Sequence, residues 1–459
     1  MRHPGAISLR QYQDGHMINN RLTASAICFI VFLLFYGLTS RSDLQLTDEV
    51  AVFASSISLG TQGNLAIDEL QWLNDEINIG ELGNDKHLYS KYFPGNVVVT
   101  AMAYNLAKKK EDHPYLWSVP KDLNDTMGFI KLAPSNSGAR FALKINAFFG
   151  AMAMTALFLL LQRYFDWKTT LTTVILVGLS TNWWYQSRGF LSEVGAGAFL
   201  ITSLCFAVYR KPYFSGFVFG LSLLFRPTNI IAFPVWGMSV WEKGRTAIWS
   251  VFAVFVGVFG LMFFNWIRFG SLFEFGYGTE SFVFNFMDGL YGVLLSPGRS
   301  LFLYSPILTL AIPGAWWFYK KEKTLTLVSV LIILSYIFMA ASWHSWDGGW
   351  SWGSRLLTPV IPILGFLIAP SIEYAWGKRG DIFVIIVLSL LGFGVQIIAL
   401  AMDPLKTLVN FVVFGSGDYN ETVNSITNSW LALQLRSLES WSICDLDAYT
   451  IRQWFGSCR

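Results

Sequence analysis

Apolar residues fall in long uncharged stretches separated by short polar loops. Such stretches cover residues 22–40, 145–162, 169–187, 246–267, 301–319, 324–343, 356–372 and 382–402. A helix rises about 1.5 Å per residue, so about 20 residues cross the roughly 30 Å hydrocarbon core of a bilayer. In lipid every backbone amide must find its partner within the segment, so each stretch is expected to be helical. The pattern predicts an all-α, polytopic transmembrane helical protein.

Two stretches are ambiguous by length, and the placement of basic residues decides both. Loops at 163–168, 210–211, 243–245, 320–323 and 378–379 are rich in Lys and Arg, as is the N-terminus, and such loops face the cytoplasm. If the short apolar segment at 95–107 crossed, all five loops would move outside. It is therefore expected along the interface, within a large outer loop at 41–144. The segment at 212–241 is flanked by basic loops, so it must cross an even number of times. Two short helices meeting at Arg226-Pro227 satisfy this, because proline disfavours helix at the residue before it. The expectation is about 11 spans, with the N-terminus cytoplasmic and the C-terminus outside. A membrane domain at 1–402 is followed by an outer tail at 403–459.

Composition agrees: 53% of the 459 residues are hydrophobic and only 14% charged, against about 25% in a soluble domain. A net charge of +3 with no basic block argues against a nucleic-acid partner. Aromatic residues make up 17% and gather near span ends, where interfacial belts form. Arg2, Arg10 and Arg21 precede the first stretch, which lacks a small-residue cleavage site and reads as a retained span. Cys28 and Cys205 fall in spans, where they pack. Cys444 and Cys458 face outward on this topology; a disulfide worth about 3 kcal/mol and two free thiols both remain open.

The outer side holds the candidate chemistry, because charges at membrane depth are costly and mark function. Asp48-Glu49 follows the first span; the pair could equally start a helix by complementing its dipole. Lys91 and Tyr92 lie in Tyr-Ser-Lys-Tyr-Phe-Pro-Gly, where the lysine could snorkel to headgroups or meet a lipid-linked phosphate. Arg188 and Glu193 share one short turn and could simply pair with each other. Arg299 sits in Ser-Pro-Gly-Arg-Ser. The stretch from Trp343 to Arg355 sets four tryptophans, Trp350 among them, around His344, Asp347 and Arg355. An interfacial belt would explain the tryptophans alone; the interleaved Gly, His, Asp and Arg favour a binding surface.

At these residues the chain resembles the C-class (GT-C) integral membrane glycosyltransferases, in particular the protein O-mannosyltransferase and aminoarabinose transferase group. The resemblance covers roughly residues 20–400 and rests on Asp48-Glu49 after the first span, the long first outer loop, the short acidic second one and the helix count. It implies a polyprenyl-phosphate-linked sugar as donor, used at the outer face of a bacterial plasma (inner) membrane. Asp48 would be the general base, with Glu49 and Glu193 as helpers. Lys91, Arg188, Arg299 and Arg355 would meet the donor phosphate, and Tyr92, His344, Asp347 and Trp350 the sugar or acceptor. A divalent cation, Mg or Mn, at Asp48 and Glu193 remains open. The rival readings are a transporter or flippase, and an outer-face glycan polymerase or ligase.

This topology puts Lys91, the 343–355 loop and the C-terminus on one side. A membrane-impermeant thiol reagent on intact cells should label a cysteine placed at Ser351 and spare one at Lys321. The opposite pattern would invert the assignment.

Overall fold

A computed structural model describes residues 5–41, 43–109, 137–241, 246–278, 280–282 and 285–454. The first helix, α1 (Gly5–Leu38), leads into α2 (Thr47–Gln62), α3 (Gln71–Ile77), the antiparallel pair β1 (Gly80–Leu82) and β2 (Leu88–Ser90), and α4 (Pro94–Ala107). Next come α5 (Ser137–Ala142), α6 (Ile145–Leu161), α7 (Trp167–Leu179), α8 (Asn182–Ser187), α9 (Ser192–Val208), α10 (Pro212–Phe225), α11 (Phe233–Trp241) and α12 (Thr246–Phe269). The second half contains α13 (Phe286–Leu295), α14 (Leu301–Tyr304), α15 (Ala311–Tyr319), α16 (Lys323–Ser342), α17 (Ile361–Ala375) and α18 (Arg379–Ala401). Four short helices end it: α19 (Pro404–Val409), α20 (Tyr419–Asn424), α21 (Trp430–Ser437) and α22 (Tyr449–Trp454).

The protein is all-α and polytopic, as the apolar stretches require. Six helical segments of the described residues are long and apolar enough to cross a membrane: Arg21–Leu38, Ser137–Leu161, Ala247–Phe269, Lys323–Ser342, Arg355–Ala375 and Arg379–Ala401. Shorter apolar helices such as Ser192–Val208 and Pro212–Phe225 pack among them. Two expected spans are interrupted, and a third segment breaks where expected. The stretch at 169–187 breaks at Thr181, whose hydroxyl donates to the Val177 carbonyl and accepts the Trp183 amide to start α8. The stretch at 301–319 breaks at Pro306, which has no N–H to donate. The two breaks meet, since the Asn182 amide donates to Ser305 Oγ at 2.8 Å. The third break is the anticipated one, where Arg226 is extended and Pro227 opens a 3₁₀ turn before α11. Segment 95–107 is the helix α4, buried through Val97, Ala101 and Tyr104 and exposed at Met102 and Leu106.

Close helix contacts are made by small residues. A Cβ on Gly257 of α12 would overlap the Gly220 carbonyl of α10, and one on Gly216 would overlap the Ser250 carbonyl. Lipid supplies no hydrophobic force between helices, so backbones must approach closely to gain dispersion contacts. Cys205 is buried and Cys28 half-buried, both as free thiols. Whether Cys444 pairs with Cys458 falls on Cys458, which lies outside the described residues.

The tail docks on the membrane helices. Asp447 accepts from Arg188 Nη2 at 2.5 Å, and its amide donates to the Leu400 carbonyl. Trp430, fully buried, packs with Trp352 and Tyr304.

The α10–α12 contact gives a direct test. Gly257→Val should lower the thermal stability of the detergent-solubilised protein by about 1–3 kcal/mol, the usual range for overpacking. Gly260→Val, which would meet only the flexible end of Leu224, should cost much less. Equal losses would refute the close-contact account.

Candidate active site

The site forms where six chain segments converge. Asp48 and Glu49 open α2, yet neighbouring residues on a helix point about 100° apart, and the two carboxylates diverge. Glu49 turns inward: it accepts from Arg41 Nη2 at 2.6 Å, from the Gln45 amide at 2.8 Å and from the Phe190 amide at 3.1 Å. It locks the segment between α1 and α2 to the turn before α9. Asp48 turns the other way and accepts from Arg355 Nη2 and from the Tyr92 hydroxyl, each at 2.5 Å.

Lys91 and Tyr92 are delivered by the end of β2. Arg268, buried at the end of α12, donates to the carbonyls of Ser90 and Tyr92 and to Asn265 Oδ1, pinning this connection from below. Glu193, in the first turn of α9, pairs with Arg226 and accepts from Arg355 Nε at 2.6 Å. The Arg355 guanidinium therefore bridges two carboxylates, and Glu193 joins two guanidinium groups. Glu193 is fully shielded, whereas the Asp48 side chain keeps 23% of its surface exposed. Burial alone would raise the Asp48 pKa, but Arg355, Tyr92 and Lys91 together hold it below the usual carboxylate range. The Tyr92 hydroxyl, pushed up by burial and by Asp48, stays protonated and donates.

Asp48, Lys91, Tyr92, Arg226, His344 and Arg355 line one cavity of about 280 Å³. Lys91 Nζ is 2.5 Å from Glu280 and 3.0 Å from the Asn78 carbonyl. A second cavity of about 250 Å³ shares Phe93, Arg226, Tyr277, Glu280, Trp343 and Leu356 with the first. Through Phe282 and Met339 it continues into an apolar groove of about 890 Å³ between α11, α13 and α16. The groove follows α16 from Leu331 to Ser342, roughly 17 Å of helix. The apolar groove thus adjoins, through shared lining residues, a cavity lined by Lys91, Arg226, Arg355, Asp48 and Glu280, with Glu193 buried behind the two arginines.

Other expected residues lie elsewhere. Arg188 does not pair with Glu193; it holds Asp447, as well as the Thr39 and Ala399 carbonyls. Arg299 is buried away from the cavity. It donates to the Gly349 carbonyl at 2.8 Å and the Tyr419 hydroxyl at 2.9 Å, and lies 4.6 Å from the Trp430 ring centroid. Tyr419 in turn donates to Asp347, and its ring stacks on Trp350. These residues clamp the tail to the Gly348–Gly349 turn, whose positive φ angles of 72° and 65° suit glycine. The turn itself lines the cavity. Among the described residues no cluster of three or more His, Cys, Asp and Glu could hold a metal ion. Between Asp48 and Glu193 the structure places the Arg355 guanidinium.

Sequence reasoning placed Arg226 and the stretch holding Tyr277 on the outer side without assigning either a role, and passed over Glu280. Arg226 carried a signal, as the lone charge in a long apolar segment. The other two sit in a loop without periodicity.

The overall fold is also found in solved structures. The chain is similar to ArnT from Cupriavidus metallidurans bound to undecaprenyl phosphate, with a TM-score of 0.51 and 13% identity over 95% of this chain and 75% of that one. ArnT from the same organism in the apo state gives 0.50 and 14% over 97% and 76%. The chain has the GT-C fold. No protein-family model matches its sequence, and no curated protein does. At this identity the likeness fixes the GT-C architecture and leaves the chemistry to the site.

The clamp predicts a local effect. Tyr419→Phe removes the hydroxyl that joins Arg299, Asp347 and Gly349, and should speed amide exchange across residues 345–355 about fivefold, the loss of one modest hydrogen bond. Exchange in α18 should not change. Unaltered exchange at 345–355 would show that the clamp does not hold the turn.

Proposed function

We propose that this GT-C-fold protein is a membrane glycosyltransferase that moves a sugar from a polyprenyl-phosphate donor to an acceptor hydroxyl. The observation that carries this reading is the continuity of the apolar groove with the charged cavity. An isoprenoid chain suits the groove between α11, α13 and α16, and its phosphate then arrives beside Lys91, Arg226 and Arg355. ArnT, the structural neighbour, binds undecaprenyl phosphate, which supports the same lipid class here. The sidedness expected from the basic loops would put the chemistry outside the cytoplasm, where a lipid-linked donor is available and a nucleotide sugar is not.

In the chemistry that this geometry supports, the acceptor oxygen attacks the anomeric carbon as the bond to the phosphate oxygen breaks. Asp48, ionised and facing the cavity, takes the acceptor proton. Polyprenyl phosphate leaves with the bonding electrons, and the anomeric centre inverts. The departing phosphate is a weak base that needs no proton, so positive charge at its oxygens replaces a general acid. Lys91, Arg226 and Arg355 supply it, the two arginines oriented by Glu193 beneath. Glu280 already satisfies Lys91, so an arriving phosphate exchanges with that carboxylate. Acceptor binding falls to the His344 side of the cavity.

Asp48→Asn keeps the size of the side chain and removes the proton acceptor. In an assay with purified protein and labelled polyprenyl-phosphate sugars, kcat should fall on the order of 10²–10⁴ with a minor change in donor KM. Glu280→Gln should instead lower the donor KM. The carboxylate is the working form of Asp48, so activity is lost only as pH falls through its lowered pKa, beneath the usual carboxylate range. Near wild-type turnover by folded Asp48→Asn would remove Asp48 as the base.

A further inference from the structure

A second polar cavity lies apart from the charged chamber. It occupies about 350 Å³ between the start of the 137–161 crossing and the final helix α22. Arg140 and Lys144, one helical turn apart, face it from one wall; Tyr449, Thr450 and Trp454 face it from the other. Lys144 Nζ donates to Thr450 Oγ1 at 3.0 Å, tying the walls together. No carboxylate lines the cavity, and no described residue forms an ion pair with either cation. Phe141 and, two turns into the crossing, Phe148 are exposed on the helix surface.

The position along the crossing decides what such a cavity can hold. Arg140 and Lys144 precede the apolar residues 145–161, so they sit where the hydrocarbon core begins, at headgroup level. Tyr and Trp favour that level too. The far end of the same crossing leads into the basic loop at 163–168, so these two cations lie on the membrane face where the positive-inside pattern disfavours them. Two half-buried cations without acidic partners among the described residues, at the lipid boundary, with aromatic rings beside them and phenylalanines below, match one ligand chemistry. It is a phosphate ester carried on an acyl chain. This reasoning does not depend on the glycosyltransferase reading, since no lining residue is shared with the catalytic cavity.

We propose that the pocket between α5, α6 and α22 binds the headgroup phosphate of an anionic phospholipid, holding the end of the tail against the membrane helices. The full-length protein would be placed in nanodiscs of phosphatidylcholine containing a fluorescent phosphatidylglycerol, and binding read by energy transfer from Trp454. Each cation at such a surface is worth about a fivefold factor in affinity, so Arg140→Gln and Lys144→Gln should each weaken binding about fivefold, and together about 25-fold. Arg140→Lys keeps the charge and should bind within about twofold of wild type, which guards against a folding artefact in the glutamine variants. Soluble glycerol phosphate should not compete at millimolar concentration. Unchanged phosphatidylglycerol binding by the double variant would overturn the site. Saturable competition by glycerol phosphate would overturn the lipid assignment and make the ligand a free phosphate ester.

Discussion

The Arg355 guanidinium, held between Asp48 and Glu193, is the contact on which the rest of the site depends. Two carboxylates brought this close in a partly buried chamber would repel, and one would take up a proton. With Arg355 between them both remain charged, and Asp48 is poised as an anion facing the cavity. The same bridge joins three distant parts of the chain: the start of α2, the start of α9 and the tryptophan-rich loop. Breaking a buried pair by removing one partner typically costs 3–5 kcal/mol, because the remaining charge is left without compensation. The site and the packing around it are therefore one electrostatic unit.

That unit is balanced in charge, with Lys91, Arg226 and Arg355 against Asp48, Glu193 and Glu280. A phosphate can enter such a chamber only by exchange. Glu193 is fully shielded and doubly bonded to arginines, and Asp48 is held by Arg355 and Tyr92. Glu280 has a single described partner in Lys91 and lies where the polar chamber opens into the apolar channel. It is the carboxylate best placed to yield, and its exchange links lipid entry to the readiness of Lys91. The tail contributes from outside the chamber, where Arg299 and Tyr419 fix the Gly348–Gly349 turn just ahead of Arg355.

Much of this was legible in the sequence, for physical reasons. Long apolar stretches have few solutions in lipid, so the helical architecture followed from pattern alone, as did the break at Arg226-Pro227. Asp48, Lys91, Tyr92, His344 and Arg355 were singled out because charge and polarity beside a span need a reason, and the structure gathers all five around one cavity. What remained hidden depends on contacts distant in sequence. Nothing local tells Asp48 from Glu49, whose roles separate only because one faces Arg355 and the other Arg41 and Phe190. Arg188 finds Asp447 259 positions away, so its nearer candidate, Glu193, was misleading. Arg299 looked like a phosphate ligand by its turn, yet its direction is set by Tyr419 and Trp430 from the tail. The interruptions at Thr181 and Pro306 likewise make sense only once the two breaks meet.

The central claim is that a polyprenyl phosphate lies in the α11–α13–α16 groove with its phosphate in the charged chamber. A photo-crosslinking amino acid at Phe338 in the groove, compared with one at Phe383 on the lipid-facing surface of α18, tests it most directly. With radiolabelled undecaprenyl phosphate in lipid nanodiscs, the account predicts strong labelling at position 338 that excess unlabelled lipid phosphate abolishes and Lys91→Ala weakens, and only background at 383. Equal, non-competable labelling at both positions would contradict it.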